Sequence, residues 1–266
     1  MTRLASLGSG SRGNGTLVHI GNELFLVDCG FTLKQTETRL ARLDVKPGEI
    51  SAVLVTHEHS DHISGVAAFA HKYALPVYAS YGTLHSKAAR KGSLVGRVID
   101  AHSPVQVGEV EVIPVVVPHD AREPMQFVFR HEQLRVGVIS DLGHVTSHVI
   151  SHFQSLNLLL MESNHDRDML QRGRYPESVK RRIMGRFGHL SNEQAAQFLA
   201  EIAHPDLQVV VGHVSEENNH QDLLQETFAG FHNAVRHLEF ATQHDGADWI
   251  IADQAATPYR AVSQAI

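Results

Sequence analysis

Apolar and polar positions along this chain follow two rhythms, and together they predict a strand-rich α/β protein. Leu17-Val18-His19-Ile20 and Leu24-Phe25-Leu26-Val27 flank Gly21-Asn22, a good hairpin signal. Residues 33 to 43 carry helical spacing that ends near Pro47-Gly48. Ser51-Ala52-Val53-Leu54-Val55-Thr56 is a continuous apolar run of strand length, of the kind buried on both faces. A helix is expected over Val66 to Tyr73 and a strand over Pro76-Val77-Tyr78-Ala79.

The middle repeats the theme. Strands are expected over Val110 to Val117, Phe127-Val128-Phe129, Val136 to Ser140 and Leu156 to Met161. Helices return at 176 to 186 and 191 to 203, the latter capped by Ser191. Gln208 to Val211 reads as a last buried strand, followed by a helix over about 222 to 237 and a strand around Trp249-Ile250-Ile251. His57, His119, Asp141, Glu162 and His213 all stand just beyond the carboxyl end of an apolar strand. Rigid strand ends with loops supplying the chemistry are a common place for active-site residues. There is no internal repeat at the sequence level, no low-complexity tract and no clear linker.

Composition narrows the class. A chain of 266 residues with 42% apolar and 20% charged positions is globular, and its length suits one domain over 1–266. The formal charge of −6 gives no global nucleic-acid-binding signature, so local patches must carry any such role. A single cysteine, Cys29, excludes an intrachain disulfide and a cysteine-based zinc ribbon. The amino terminus lacks a signal peptide's apolar core, and no run approaches the roughly 18 to 20 apolar residues that span a bilayer. No membrane association and a reducing, cytoplasmic setting are therefore expected.

The 20 histidines matter through their spacing, since His19, His71, His85 and His148 sit in ordinary contexts. His57-Glu58-His59-Ser60-Asp61-His62 places four potential ligands within six residues, after a buried strand and before a helix. Imidazoles at i and i+2 can converge on one ion from a turn, while Asp61 and His62 can face a second. Imidazole with carboxylate suits Zn, Mn or Fe, whereas an all-oxygen set would suit Mg or Ca. A His-rich surface turn is the bland alternative. It leaves the single His119, Asp141 and His213 downstream unexplained.

The HxHxDH pattern, with its later single His, Asp and His, resembles the metallo-β-lactamase superfamily over most of the chain. The resemblance implies an α/β fold, a four-layer αβ/βα sandwich with metals at one edge. It further implies that His57, His59 and His119 hold one divalent ion and that Asp61, His62 and His213 hold another. Asp141 would bridge the two, and Asp28 would support the cluster from behind. Asp28 before Cys29-Gly30 is also good turn chemistry.

Details within the resemblance favour a hydrolase of phosphodiesters. The bridging position is Asp141, as in phosphodiesterases, nucleases and glyoxalase II-type enzymes, where many true β-lactamases carry Cys. His59 stands where flavodiiron oxidoreductases carry Glu, which argues against a redox role. Gly188-His189-Leu190-Ser191-Asn192 resembles a motif of the RNase Z and cyclic phosphodiesterase branches, and Glu162 matches the acidic partner of its histidine. A histidine can protonate a departing alkoxide near pH 7, so His189 and Glu162 join Asp61 as catalytic candidates. A plain residue at a helix amino terminus is the alternative for His189.

Ser6-Leu7-Gly8-Ser9-Gly10-Ser11-Arg12-Gly13-Asn14-Gly15 does not match the phosphate-binding P-loop pattern. It reads either as a flexible turn joining the first two strands or, with the other motifs, as similar to the YycJ/WalJ-like branch of 5′→3′ DNA exonucleases. Arg12 would then touch substrate phosphate. From Arg167 to Arg186 there are seven basic residues against two acidic ones, leading directly into His189. Arg181 and Arg182 in this run are candidate phosphate contacts, against the alternative of a solvated helix face.

The stretch between Asp141 and His213 is too short for the inserted domain of β-CASP nucleases, and the tRNA-gripping arm of RNase Z has no counterpart. The expected mechanism is two-metal hydrolysis: a bridging hydroxide attacks phosphorus, Asp141 keeps the ions paired and His189 protonates the departing oxygen. The expected substrate is nucleic acid, with DNA favoured. A small phosphodiester or a glyoxalase II-type thioester is the alternative, and a non-catalytic binding protein on the same fold a third.

Overall fold

The computed structural model describes residues 1–252; residues 253–266 lie outside the described residues. The first sheet is built from β1 (Thr2–Gly8), β2 (Gly15–Ile20), β3 (Glu23–Val27), β4 (Ala52–Leu54), β5 (Val77–Ala79) and β6 (Arg97–Val98). The second takes β7 (Val105–Val107), β8 (Val110–Val116), β9 (Met125–His131), β10 (Leu134–Ile139), β11 (Leu158–Glu162), β12 (Gln208–Gly212) and β13 (His237–Phe240). The chain then returns to the first sheet as β14 (Ala247–Ala252), antiparallel to β1. The spatial orders are β14-β1-β2-β3-β4-β5-β6 and β13-β12-β11-β10-β9-β8-β7.

Each sheet changes from antiparallel to parallel pairing at one place, beyond β3 in the first and beyond β10 in the second. The two halves therefore repeat a topology that the sequence does not repeat. Asp28 follows β3, His57 follows β4, Asp141 follows β10, Glu162 ends β11 and His213 follows β12. These carboxyl ends of parallel strands are where loops diverge and leave room for a site.

Strand alternation explains the layering. In β4, Ala52 and Leu54 enter the core between the sheets, while Val53 enters the core under the helices of the first half. In β11, Leu158 and Leu160 face between the sheets, and Leu159 and Met161 face the helices of the second half. Both faces of these strands are dry, which is why they read as unbroken apolar runs. Helices 33–42 and 66–73 contribute Leu40 and Phe69 to one outer core; helices 192–202 and 221–228 contribute Phe198, Leu199, Leu224 and Phe228 to the other. The result is the expected four-layer αβ/βα sandwich.

Most expected elements are present with trimmed ends. The hairpin turns at Gly21, whose φ of +60° favours a glycine, and pairs Ile20 with Glu23. The helix expected over 222 to 237 needs correction. It stops at Phe228, passes through a 3-10 turn (Ala229–Asn233) containing Gly230, and the chain then forms β13 parallel to β12. Ladder hydrogen bonds and burial of Leu238 outweigh local helical spacing there.

The flexible turn considered for the glycine-rich segment is also corrected. Ser6 to Gly8 belong to β1, and the loop beyond is pinned: Asn14 N–H donates to Asp61 O at 2.7 Å, and Gln243 receives Arg12 N–H at 2.7 Å. Among the described residues, no helix is long and apolar enough to cross a membrane.

Candidate metal centre

Asp28 is the anchor of the site. Its φ of +61° turns the chain sharply as it leaves β3, and its carboxylate faces back toward the loop after β4. Oδ1 accepts the Thr56 N–H at 2.8 Å; Oδ2 accepts the Thr56 hydroxyl at 2.8 Å and His62 Nδ1–H at 2.7 Å. With the Thr56 hydrogen spent on Asp28, its oxygen receives His57 Nδ1–H at 2.9 Å. One buried carboxylate thus fixes two imidazoles, one directly and one through Thr56, and both turn Nε2 inward.

His119 is oriented in the same way from the second half. Its Nδ1–H donates to Gly188 O at 3.0 Å, which leaves Nε2 as the lone-pair nitrogen, 3.2 Å from His59 Nδ1. Asp141 and His213 both take left-handed backbone, with φ of +52° and +50°, immediately after β10 and β12. Such conformations are uncommon away from glycine, and three of them at strand ends around one cleft mark a site whose geometry overrides local preference.

Two triads result. His57, His59 and His119 form one; Asp61, His62 and His213 form the other. In each, one donor atom per residue lies within 4.8 Å of the others. Asp141 stands between them: Oδ1 is 3.7 Å from His119 Nε2, while Oδ2 is 2.8 Å from His62 Nε2 and 3.6 Å from His213 Nε2. The residues expected to hold metal are brought together in the expected grouping.

The donor set fits divalent cations. His57 Nε2, Asp141 Oδ2 and His213 Nε2 are buried and have no hydrogen-bond partner among the described residues. Asp141 Oδ2 sits close to His62 Nε2 without hydrogen-bonding geometry, as two donors do when both point at a common third position. Buried polar atoms left without partners are rare and costly, and a cation between them answers that cost. Mixed imidazole and carboxylate donors suit Zn, Mn or Fe.

The electrostatics agree. Burial pushes Asp141 up, but His213 and His62 outweigh it and hold its carboxyl well below the usual range. Burial likewise pushes His213 down, and Asp141, Asp61 and Glu162 reverse this to about 10. Opposite charge thus outweighs burial at His62 and His213, whereas at His57 and His119 burial wins and holds both rings below the usual imidazole range.

His189 and Glu162 meet at the edge of this cluster. Glu162, at the end of β11, accepts the N–H groups of Leu142 (2.7 Å), Leu190 (3.0 Å) and Asp141 (3.2 Å). His189 Nδ1 lies 3.2 Å from Glu162 Oε2 and 3.4 Å from Asp141 Oδ1. Burial raises the Glu162 carboxyl, yet contacts from His189 and His213 hold it at about 2. Ser191 caps the helix Asn192–Ile202 in a capping box with Gln194, fixing the chain just past His189.

The expected phosphate contacts are placed unevenly. Arg12 is exposed at the rim and pairs with Glu216. Arg182 pairs with Asp120, whose carboxylate is 3.4 Å from His119 Nε2, so this guanidinium stands at the site. Arg181 is exposed on the same short helix and, among the described residues, reaches only Glu177 O, at 3.4 Å. Within the basic run, Arg172 pairs with Asp168, Arg174 with Glu217, and Lys180 is buried against Gln171 O. Sequence reasoning missed Thr56, Asn14 and Asp120. Thr56 and Asp120 each adjoin a candidate ligand, and the Asn14 amide nitrogen lies 3.2 Å from His62 Nε2 and 3.3 Å from Asp61 Oδ2.

Comparison with known proteins agrees with this fold. The chain is 37% identical to the exodeoxyribonuclease YycJ of Bacillus anthracis over 221 residues, covering 82% of this chain and 84% of that protein. It is 31% identical to the exodeoxyribonuclease WalJ of Streptococcus pneumoniae over 263 residues, covering 95% of each. The zinc-bound PqqB of Methylobacterium extorquens superposes with a TM-score of 0.70 at 17% identity, covering 94% of this chain and 99% of that one. Residues 24–213 match the model of the beta-lactamase superfamily domain, and the chain belongs to the metallo-β-lactamase superfamily as one of its hydrolases.

Proposed function

We propose that this protein is a phosphodiesterase dependent on two divalent ions and that its substrate is DNA, degraded from the 5′ end. His57, His59 and His119 would hold one ion, Asp61, His62 and His213 the other, with Asp141 shared between them. When bound, such ions supply Lewis acidity at the phosphoryl group and a nucleophile at neutral pH. The chain's own residues do the rest. Asp28 and Thr56 keep His57 and His62 in the tautomer that leaves Nε2 free. Arg182, paired with Asp120 beside His119, would offer its guanidinium to a phosphate oxygen.

The observation that carries the choice of a phosphodiester is the pairing of His189 with Glu162 at the opening of the centre. The His189 side chain is 17% exposed, and its Nδ1 is engaged by carboxylates while its Nε2 makes no hydrogen bond among the described residues. A proton held there can pass to a leaving oxygen. A sugar alkoxide departs poorly without one, whereas a thiolate, with a pKa of about 8.5, needs little help. The two relatives named as exodeoxyribonucleases support DNA as the polymer.

Metal-loaded protein offered single-stranded DNA, a cyclic nucleotide and a glutathione thioester tests the reading. Cleavage of the DNA at rates far above the other two supports it. Preference for the thioester or the cyclic nucleotide overturns it in favour of a small-molecule hydrolase.

A further inference from the structure

Phe187 exposes 58% of its surface two residues before His189. Its backbone is nevertheless held from two sides. Its carbonyl accepts the Asp120 N–H at 2.9 Å, which ties it to the loop carrying His119. On the other side it presses on the loop carrying Asp141: a Cβ placed on Gly143 would come within 2.6 Å of the Phe187 Cα. The flanking turn is wound closely, with His189 N–H donating to Ile183 O and Gly188 N–H to Gly185 O, both at 2.9 Å. An exposed aromatic ring is thus mounted on a rigid backbone between the two loops that frame the candidate centre.

Folding does not account for this ring. Phe187 belongs to none of the three apolar cores, and no ring or cation contact engages it among the described residues. Tyr81, the other exposed Phe, Tyr or Trp among the described residues, differs in this respect, because it stacks on His85 at 3.8 Å. The neighbours of Phe187 are suited to a nucleotide: Arg186 is exposed with no acidic partner among the described residues, Arg182 stands at Asp120, and Met184 is exposed.

We propose that Phe187 is a stacking platform for the nucleobase of the nucleotide attached to the scissile phosphate, and so a substrate-positioning residue that tells a base-bearing nucleotide from an abasic one. The proposal rests on the nuclease reading above and deepens it. A phosphate held at the centre carries its base on the same nucleotide, and every base offers a π-face, so one fixed ring positions any sequence. Pinning the backbone in advance lowers the ordering cost of that contact.

The test compares single-stranded DNA with a strand carrying an abasic tetrahydrofuran at the nucleotide to be cleaved, using wild type, Phe187→Ala and Phe187→Trp. Wild type should prefer the base-bearing strand by about tenfold or more in kcat/KM, as expected for one base–aromatic stack. Phe187→Ala should bring that preference close to one, and Phe187→Trp should restore it. Quenching of 2-aminopurine at that position on binding should likewise weaken in Phe187→Ala and return in Phe187→Trp. Equal losses on both strands would make Phe187 structural and overturn the proposal. So would an unchanged preference, or a change confined to the sedimentation behaviour, which would mean that the ring meets a second copy of the chain. Failure of wild type to cleave or bind either strand would overturn the nuclease reading itself, and Phe187's role with it.

Discussion

Asp28 Oδ2 stands 2.7 Å from His62 Nδ1 in a pocket where both side chains are almost wholly buried. The same oxygen receives the Thr56 hydroxyl that in turn receives His57, so one carboxylate controls a histidine in each triad. Asparagine tolerates the left-handed backbone at this position, and Asp28→Asn removes the charge while sparing the turn. Metal titration of this variant should show affinity reduced about 10- to 100-fold. Unchanged affinity would mean that Asp28 serves the turn alone.

His189 should separate chemistry from metal binding. Its Nδ1 faces Glu162 and Asp141, and a glutamine there cannot relay a proton. His189→Gln should lower kcat on DNA by about 100- to 10,000-fold while retaining its metal. On a p-nitrophenyl phosphodiester, whose leaving group needs no acid, the loss should be much smaller. A variant that loses metal, or is equally slow on both substrates, contradicts the assignment.

Arg182 should matter more than Arg181. Only Arg182 reaches the carboxylate beside His119, whereas Arg181 points along its own helix. Arg182→Ala should weaken single-stranded DNA binding and reduce the slope of log affinity against log salt by about 0.7, the value for one phosphate contact. An unchanged slope for both Arg181→Ala and Arg182→Ala would remove the basic run from the account.

Cys29 should be inert in the folded protein. It is wholly buried, and burial raises its thiol to about 11, against which the Thr36 hydroxyl contact is a smaller effect. Because the raised pKa keeps the thiol protonated throughout pH 6 to 9, its alkylation by iodoacetamide should stay negligible there and appear only on unfolding. Stoichiometric labelling of native protein, followed by mass spectrometry, would contradict this.

The four-layer fold and the grouping of the candidate residues were both legible in the sequence, each with gaps. His57, His119, Asp141, Glu162 and His213 could be found because a dry strand reads as an unbroken apolar run, and each stands at the end of one. Thr56 was hidden because a threonine beside a ligand looks like ordinary strand chemistry; only the hydrogen-bond chain from His57 to Asp28 reveals its use. The strand at 237–240 was hidden for another reason. Its pairing with β12 is non-local, and the helical spacing of its surroundings is the stronger local signal. The basic run looked uniform in sequence, yet fold geometry splits it, sending Arg174 to Glu217 and Arg182 to Asp120.

Single-stranded DNA with a 5′-phosphate, labelled at one end or the other and incubated with Mn- or Zn-loaded protein beside a His57→Ala control, tests the central claim most directly. The account predicts early release of 5′-terminal mononucleotides by wild type and none by the control. Intact DNA in the presence of fully metal-loaded protein, or equal cleavage by His57→Ala, would contradict it.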